Sequence, residues 1–211
     1  MKQARQLFTS AEEERIRAAV AAAEARTAGE IATMVVDASD RYREGEARGA
    51  VFLAGALALL IAVATRHVSI WFYIPVSFLL GFPCHLLFRG APRLILPFVS
   101  RRRVIAAVRE RAIRAFYEKG LYRTREETGI LIFISLLERT VWILGDRGID
   151  QRIPPETWQG LAGDLSSGIR AGQAAPALCA VIDRCGELLQ CHFPRRSDDV
   201  NELSDNVLYE Q

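Results

Sequence analysis

Acidic residues at the ends of predicted strands are the best candidates in this sequence for side chains that do chemistry. Glu30 and Asp37 bound the run EIATMVVD, and Asp146 and Asp150 lie in the turn segment GDRGID. Carboxylate oxygens are the ligands that Ca²⁺ and Mg²⁺ prefer in proteins. The predicted ligands of such an ion are Glu30, Asp37, Asp146 and Asp150, with Asp40 close by in sequence. The alternative is structural, because an Asp in a Gly-Asp-Arg-Gly turn commonly hydrogen-bonds its own backbone.

Nucleophilic and redox chemistry have less support in the sequence. The four cysteines, at positions 84, 179, 185 and 191, form no CxxC pair and no zinc-finger spacing, so we expect reduced thiols. The chain has no Gly-rich phosphate loop, no HxGxR-like motif and no CxxxxxR motif, and His192 belongs to no recognisable triad. We therefore expect no catalytic residues, and no cofactor other than the Ca²⁺ or Mg²⁺ considered above.

Two long apolar runs separate the acidic positions. Residues 49–65 are 17 residues without a charge, and residues 68–88 are 21 residues that contain Cys84 and His85 but no Asp, Glu, Lys or Arg. A helix rises about 1.5 Å per residue, so roughly 20 apolar residues cross the hydrocarbon core of a bilayer. The second run is long enough, and the first becomes long enough through a tilt or local thinning. A soluble hairpin is disfavoured, because so short a chain has too little other surface to cover it.

Flanking charges predict the orientation of this hairpin. Arginines flank its outer ends, whereas the turn carries only Arg66 and a mostly neutral His67; the outer arginines are Arg41, Arg43, Arg48, Arg89, Arg93, Arg101, Arg102 and Arg103. Because basic residues remain on the cytoplasmic side, both termini are expected in the cytoplasm. No secretory signal is visible at the N-terminus. We predict an integral protein of the inner (cytoplasmic) membrane with two spans, whose partners include the lipid bilayer.

The overall charge balance excludes one class of partner. A formal net charge of +2 produces no strong positive field, so no nucleic-acid partner is expected. The distribution is uneven, since residues 89–125 contain 11 basic and 2 acidic residues, whereas residues 150–211 contain 5 basic and 10 acidic ones. An Arg near an anionic leaflet adds about 1 kcal/mol to membrane attachment. Either the juxtamembrane side lies against the cytoplasmic leaflet, or the charges only set the topology.

The remaining sequence alternates helical and strand patterns. Apolar residues at helical spacing predict four helices, over residues 10–27, 100–119, 155–171 and 174–191. Apolar runs bounded by turn residues predict three strands, over residues 30–37, 128–135 and 140–144, and the last two form a hairpin. Such an order is typical of a sheet with helices on both faces. We predict an α/β fold, a three-layer α/β/α sandwich formed by residues 1–48 and 89–211, with a transmembrane helical hairpin inserted at residues 49–88.

Several short stretches of the chain resemble the TPM domain. They are TAGEI at 27–31, RAFYEKGL at 114–121, TGILIFISLLER at 128–139, LGDRGI at 144–149 and WQGLAGDLSSGIRAG at 158–172. Their order and spacing carry the resemblance, and together they cover nearly all of the chain outside the hairpin. The segment NELSD at 201–205 is similar to the NELPD tail of a bacterial, membrane-associated subgroup, with Ser204 in place of its Pro.

The resemblance implies a TPM-like fold without implying one activity. Relatives include thylakoid-lumen proteins linked to photosystem II repair, acid phosphatases, proteins that bind divalent metal, and assembly factors of membrane complexes. Most relatives place the domain outside the cytoplasm, behind a cleaved signal. We expect a non-catalytic protein-interaction module that helps assemble or maintain a membrane complex, with an unidentified membrane protein as partner. The alternative is a divalent-metal-dependent, phosphatase-like hydrolase that uses Glu30, Asp37 and Asp146.

Overall fold

The computed structural model describes residues 4–67, 69–124, 127–195 and 205–210. The chain forms two compact units. Residues 1–39 and 106–211 form the first, called the sandwich unit, and residues 40–105 form the second, called the hairpin unit. The domain division expected at 48/49 and 88/89 stays a prediction.

The described residues contain seven α-helices and four β-strands. In chain order these are α1 Ser10–Glu24, β1 Glu30–Val36, α2 Arg43–Ala64, α3 Ile70–Gly90, α4 Arg101–Glu118, β2 Gly129–Ser135, β3 Thr140–Gly145, α5 Arg147–Asp150, α6 Pro155–Arg170, α7 Ala174–His192 and β4 Leu208–Glu210. Short 3₁₀ turns span Ala4–Gln6, Pro92–Leu94, Leu96–Phe98 and Leu121–Arg123. Each helix and strand predicted above is present, whereas the one-turn α5 and the C-terminal β4 were not predicted.

One four-stranded sheet, in the order β3-β2-β1-β4, forms the centre of the sandwich unit. β1 runs parallel to β2 from the pair Glu30/Gly129 to the pair Val36/Ser135, and it also runs parallel to β4. β2 and β3 are antiparallel, as the predicted hairpin requires. The two central strands are buried along their whole length, which explains why their sequences are continuously apolar.

Helices cover both faces of this sheet. Ile31, Val35 and alternate residues of β2 pack with α1, α6 and α7 on one face. Met34 and Phe133 point to the other face, where Val108 and its neighbours on α4 cover them. The predicted fold class, an α/β sandwich of three layers, is therefore confirmed.

Helix α1 begins at a capping box that the sequence encodes locally. The Thr9 side chain accepts a hydrogen bond from the backbone N–H of Glu12 at 3.3 Å. In return the Glu12 carboxylate accepts one from the backbone N–H of Thr9 at 2.8 Å. These reciprocal bonds satisfy backbone donors that a helix start leaves without partners.

The hairpin unit consists of α2, α3 and the segments next to them. The buried side of α2 is built from small residues, namely Gly45, Gly49, Ala50, Ala54, Ala58 and Ala62. A Cβ atom at Gly49 would stand 2.5 Å from Cε1 of Phe88, so only glycine admits that ring so close to the backbone. Small residues of this kind allow two helices to approach closely. Most of the larger side chains of both helices, Phe88 excepted, are exposed or only partly buried.

Candidate functional site

Three of the predicted metal ligands lie at one end of the sheet, where β1 and β2 begin and β3 ends. Glu30 opens β1 and is paired with Gly129, while Ile130 is paired with Gly145 at the end of β3. Because β3 is antiparallel to β2, the last residue of β3 lies beside the first residues of β2. The backbone N–H of Asp146 accordingly donates to the carbonyl of Gly129 at 2.9 Å. This edge, called the acidic edge, carries Glu30, Asp146 and Asp150.

Asp37 lies at the opposite end of the sheet, where β1 and β2 end. It follows β1, whose seven residues rise roughly 3.3 Å each, so about 20 Å of strand separates it from Glu30. Its Oδ1 accepts a hydrogen bond from the backbone N–H of Ala4 at 2.6 Å. Asp40 belongs to the hairpin unit, where it pairs with Arg103. The predicted ligands therefore do not all converge, and the described residues contain no group of three or more His, Cys, Asp or Glu side chains placed to hold a metal ion.

Asp146 is the acidic-edge residue with the most unusual surroundings. It is the N-cap of α5, and its Oδ1 accepts from the backbone N–H of Arg147 at 2.7 Å, which is the local bond expected of a GDRG turn. Its Oδ2 is buried and has no hydrogen-bond partner among the described residues. Burial raises the pKa of Asp146, and the charge of Glu127 acts in the same direction, against the lowering effect of the Arg147 N–H.

Asp150 completes a carboxylate pair with Asp146. One helical turn of α5 separates them, and the backbone N–H of Asp150 donates to the carbonyl of Asp146 at 3.0 Å. Burial raises the pKa of Asp150, and the charge of Asp146 raises it further. Two carboxylates of this kind can supply oxygen ligands to a cation. They do not by themselves supply a nucleophile.

The end of the sheet where β1 and β2 end contains a buried polar network that was not predicted from the sequence. The hydroxyl of Ser135 donates to the carboxylate of Glu138, which also accepts from the backbone N–H of Ser39 at 2.9 Å. The hydroxyl of Ser39 donates to that of Ser135 at 2.9 Å. Ser135 is almost completely buried, so this network connects the loop after β1 to the β2–β3 turn. The only sign of this network in the sequence is Glu138, in the tight turn between β2 and β3.

The hairpin unit has its own cluster of charges. Arg103 pairs with Asp40, and its Nε lies 3.3 Å from Oε1 of Glu44. Its guanidinium lies over the ring of Tyr42, 5.9 Å from the centroid. Tyr42 is buried and has left-handed backbone angles, with φ 47° and ψ 47°, just before α2 begins. At least one of the predicted membrane-facing arginines therefore makes specific contacts at the start of α2.

The outer surfaces of α2 and α3 are apolar and exposed. Both helices are long and apolar enough to cross a membrane, with mean hydropathy 2.1 and 1.6. Only 28% and 6% of their most apolar windows are buried by protein. The large exposed side chains are Val51, Phe52, Leu57, Leu59, Leu60 and Val63 on α2, and Ile70, Trp71, Ile74, Phe78, Leu79, Phe82, Leu86 and Leu87 on α3.

A three-layer α/β sandwich with an acidic edge and two inserted apolar helices defines the class of this protein. Residues 101–188, which run from α4 into α7, match the family model of the TPM domain. This segment is therefore a TPM domain match, and the predicted resemblance is confirmed.

One solved structure supports the same fold. The NMR structure of BA42 protein from the psychrophilic bacterium Bizionia argentinensis superposes with a TM-score of 0.61. The alignment covers 96% of this chain and 95% of that chain, at 19% sequence identity. A comparison with curated protein sequences gave no match.

Proposed function

We propose that this protein is a membrane-anchored TPM module that faces the cytoplasm and binds other proteins during assembly or maintenance of a membrane complex. The observation that carries the anchoring is the outward apolar surface of α2 and α3. Trp71 is 85% exposed and Phe78 is 81% exposed. Exposed apolar patches larger than a few hundred Å² are unusual on soluble monomers. Lipid is the natural cover for a surface of this length and composition.

The proposed orientation follows from the charges next to the two helices. The outer ends carry eight arginines, from Arg41 to Arg103, and the turn carries Arg66 with His67. The positive-inside rule then favours a cytoplasmic sandwich unit. The basic excess over residues 89–125 adds attraction to an anionic leaflet.

Extraction and labelling test the anchoring and the orientation. We expect the native chain to stay in the membrane pellet after alkaline washing and to enter solution only with detergent. A membrane-impermeant thiol reagent should label the exposed Cys191 only after the cells are opened. In a variant that carries Arg66→Cys, the new thiol should react in intact cells whose outer membrane has been permeabilised. A chain that disperses in buffer without detergent would contradict the proposal.

The interaction role has a separate test. In-cell crosslinking followed by detergent extraction should repeatedly recover the same membrane protein with the full chain. A matched variant should keep the hairpin but reverse the charge of two exposed acidic residues of α6, by Glu156→Lys and Asp164→Lys. We expect recovery to fall with this variant if charged contacts of the sandwich unit hold the partner. Recovery of no consistent partner by the full chain would count against a docking role.

A metal-dependent phosphatase is the second candidate, favoured by one observation. Oδ2 of Asp146 is buried, has no hydrogen-bond partner among the described residues, and lies at the edge that also carries Asp150 and Glu30. With Mg²⁺ or Ca²⁺ the purified protein should then hydrolyse an aryl phosphate, and Asp146→Asn should abolish the activity. Asp37→Asn, at the opposite edge, is the matched control and should retain it. Turnover no faster than in buffer would remove this candidate.

A further inference from the structure

β3 is the outermost strand on one side of the sheet, because the strand order is β3-β2-β1-β4. Its register against β2 determines which of its backbone groups face away from the sheet. The backbone N–H of Asp146 donates to the carbonyl of Gly129 at 2.9 Å, so these two residues form a hydrogen-bonded pair. Hydrogen-bonded pairs alternate along an antiparallel ladder. Trp142 and Leu144, which lie two and four residues before Asp146, therefore direct their backbone groups toward β2.

The residues between these pairs direct their backbone N–H and C=O groups away from β2. They are Val141, Ile143 and Gly145, and their outward groups are called the β3 edge. Within the part of the chain that the structure describes, no group hydrogen-bonds to the β3 edge. A row of unpaired backbone donors and acceptors is a template for pairing with a further strand.

β3 lacks the features with which natural proteins block such an edge. Its sequence, TVWILG, contains no Pro and no charged residue, and it pairs with β2 through six consecutive residues without a bulge. At about 3.3 Å per residue the strand offers roughly 20 Å of backbone. The side chains of Trp142 and Leu144, on the α4 side of the sheet, are only partly buried. An added strand would therefore gain backbone hydrogen bonds and apolar contacts together.

The charges at the two ends of β3 determine which occupant fits. Arg139 directly precedes the strand, Arg147 follows it after one residue, and both side chains are exposed. If two copies paired through all three outward residues, the two-fold axis would pass through Ile143 and Arg139 would lie beside Arg147 of the other copy at both ends. Like charges opposite each other disfavour that pairing. Acidic residues at both ends of a segment from a different protein would instead pair with the two arginines.

We infer that the β3 edge binds an extended segment of a partner protein, in which alternating apolar residues are flanked at both ends by acidic residues. The segment adds one strand to the four-stranded sheet and pairs with the outward groups of Val141, Ile143 and Gly145. The inference rests on the proposed docking function, for which it names the surface and the chemistry of the partner.

Two synthetic peptides test the inference on the full-length chain in detergent. Alternating Val and Thr residues form the centre of both; a pair of Glu residues flanks each end of the first, and Lys replaces every Glu in the second. By fluorescence anisotropy at low salt, we expect the acidic peptide to bind roughly fivefold more tightly than the basic one. The double variant Arg139→Glu with Arg147→Glu should reverse this preference. Arg170→Glu with Arg184→Glu, at exposed positions of α6 and α7, is the matched control and should keep it.

Amide hydrogen exchange locates the bound peptide. In the free chain, the outward amides of Val141 and Ile143 should exchange faster than the amides of Trp142 and Leu144, which bond to β2. The acidic peptide should slow the two outward amides on the order of tenfold and leave the two inward amides little changed. This measurement uses the wild type, so it also covers the case in which the double variant does not fold.

Other results would overturn the inference. Outward amides that already exchange slowly in the free chain would mean that this chain covers its own β3 edge. Protection that appears only as the protein concentration rises would assign the edge to a second copy. Absence of peptide binding, or equal affinity for the two peptides, would refute the chemistry of the partner. If in-cell crosslinking still recovers a partner, the proposed docking function stands and uses another surface.

Discussion

At the scale of single residues, burial determines how the acidic edge responds to pH. Burial raises the pKa of Asp146 and of Asp150 above the ordinary value of 3.8. A carboxyl with a higher pKa in the folded chain than in the unfolded chain favours folding while it is protonated. Its contribution is present below the unfolded pKa and is lost as the pH rises through the folded pKa. The pair therefore makes the fold less stable near neutral pH than at mildly acidic pH.

The substitution Asp146→Asn should remove part of this pH dependence. The amide oxygen still accepts from the Arg147 N–H and caps α5, but the side chain no longer ionises. Between about pH 4 and about pH 7 we expect the melting temperature of the variant to fall less than that of the wild type. Circular dichroism in one detergent measures this difference. Asp164→Asn, at an exposed position of α6, should behave as wild type, and identical slopes in all three proteins would contradict the assigned effect of burial.

Gly186 makes a second prediction at this scale. A Cβ atom at this position of α7 would stand 2.8 Å from Cβ and 3.2 Å from Cα of Ala23 on α1. Because backbone must move to relieve such a contact, Gly186→Ala should destabilise the fold by about 1–3 kcal/mol. Gly160→Ala is the matched control, since its Cβ would meet open space on α6 and the gain in helix propensity is up to about 1 kcal/mol. Thermal unfolding should shift the two variants in opposite directions, and shifts of the same sign would refute the packing argument.

At the scale of elements, the start of α1 depends on a reciprocal pair of hydrogen bonds. Thr9→Ala removes the hydroxyl that accepts from Glu12, and it should cost about 1 kcal/mol of stability. Thr9→Ser keeps the hydroxyl and should stay within a few tenths of a kcal/mol of wild type. Chemical denaturation of both variants checks the difference. Equal loss in the two would mean that the methyl group of Thr9, and not its cap, stabilises the helix.

Elements whose signals are local could be predicted from the sequence. The continuous apolar runs of β1 and β2 and the capping residues of α1 are patterns that a few consecutive residues reveal. β4 was not predicted, because three residues carry too little periodicity. Its side chains also contact Glu13 and Arg111, which are far away in sequence. The one-turn α5 escaped for the same reason, since GDRGID also has the composition of a turn.

The candidate site was predictable only in part, because the direction of each strand decides which acidic residues lie close together. Glu30 and Asp37 bound the same strand and are close in sequence, yet a strand of seven residues places them at opposite edges. Glu30 and Asp146 are far apart in sequence and share an edge, because β3 is antiparallel to β2. Residue types and spacing alone do not contain the direction in which each strand enters the sheet.

At the scale of the whole molecule, the two units distribute their apolar residues differently. The sandwich unit buries its apolar residues inside two cores, one on each face of its sheet. In the hairpin unit, α2 instead buries small residues and exposes most of its large ones. This is the arrangement expected of helices that lipid surrounds, because lipid removes the need to hide large apolar side chains.

A charge on the outer surface of α3 tests this assignment directly. Leu79 is 76% exposed and lies near the middle of the helix, so Leu79→Arg should leave the packing between α2 and α3 intact. At the centre of a membrane span an Arg costs about 2.5–3.5 kcal/mol on insertion scales, and we expect the membrane-inserted fraction to fall accordingly. Ile105→Arg is the matched control, since this exposed residue of α4 lies outside both apolar helices and should leave insertion unchanged. If the wild type and both variants fractionate alike after alkaline washing, the apolar surface of α3 does not face lipid and must be covered by protein.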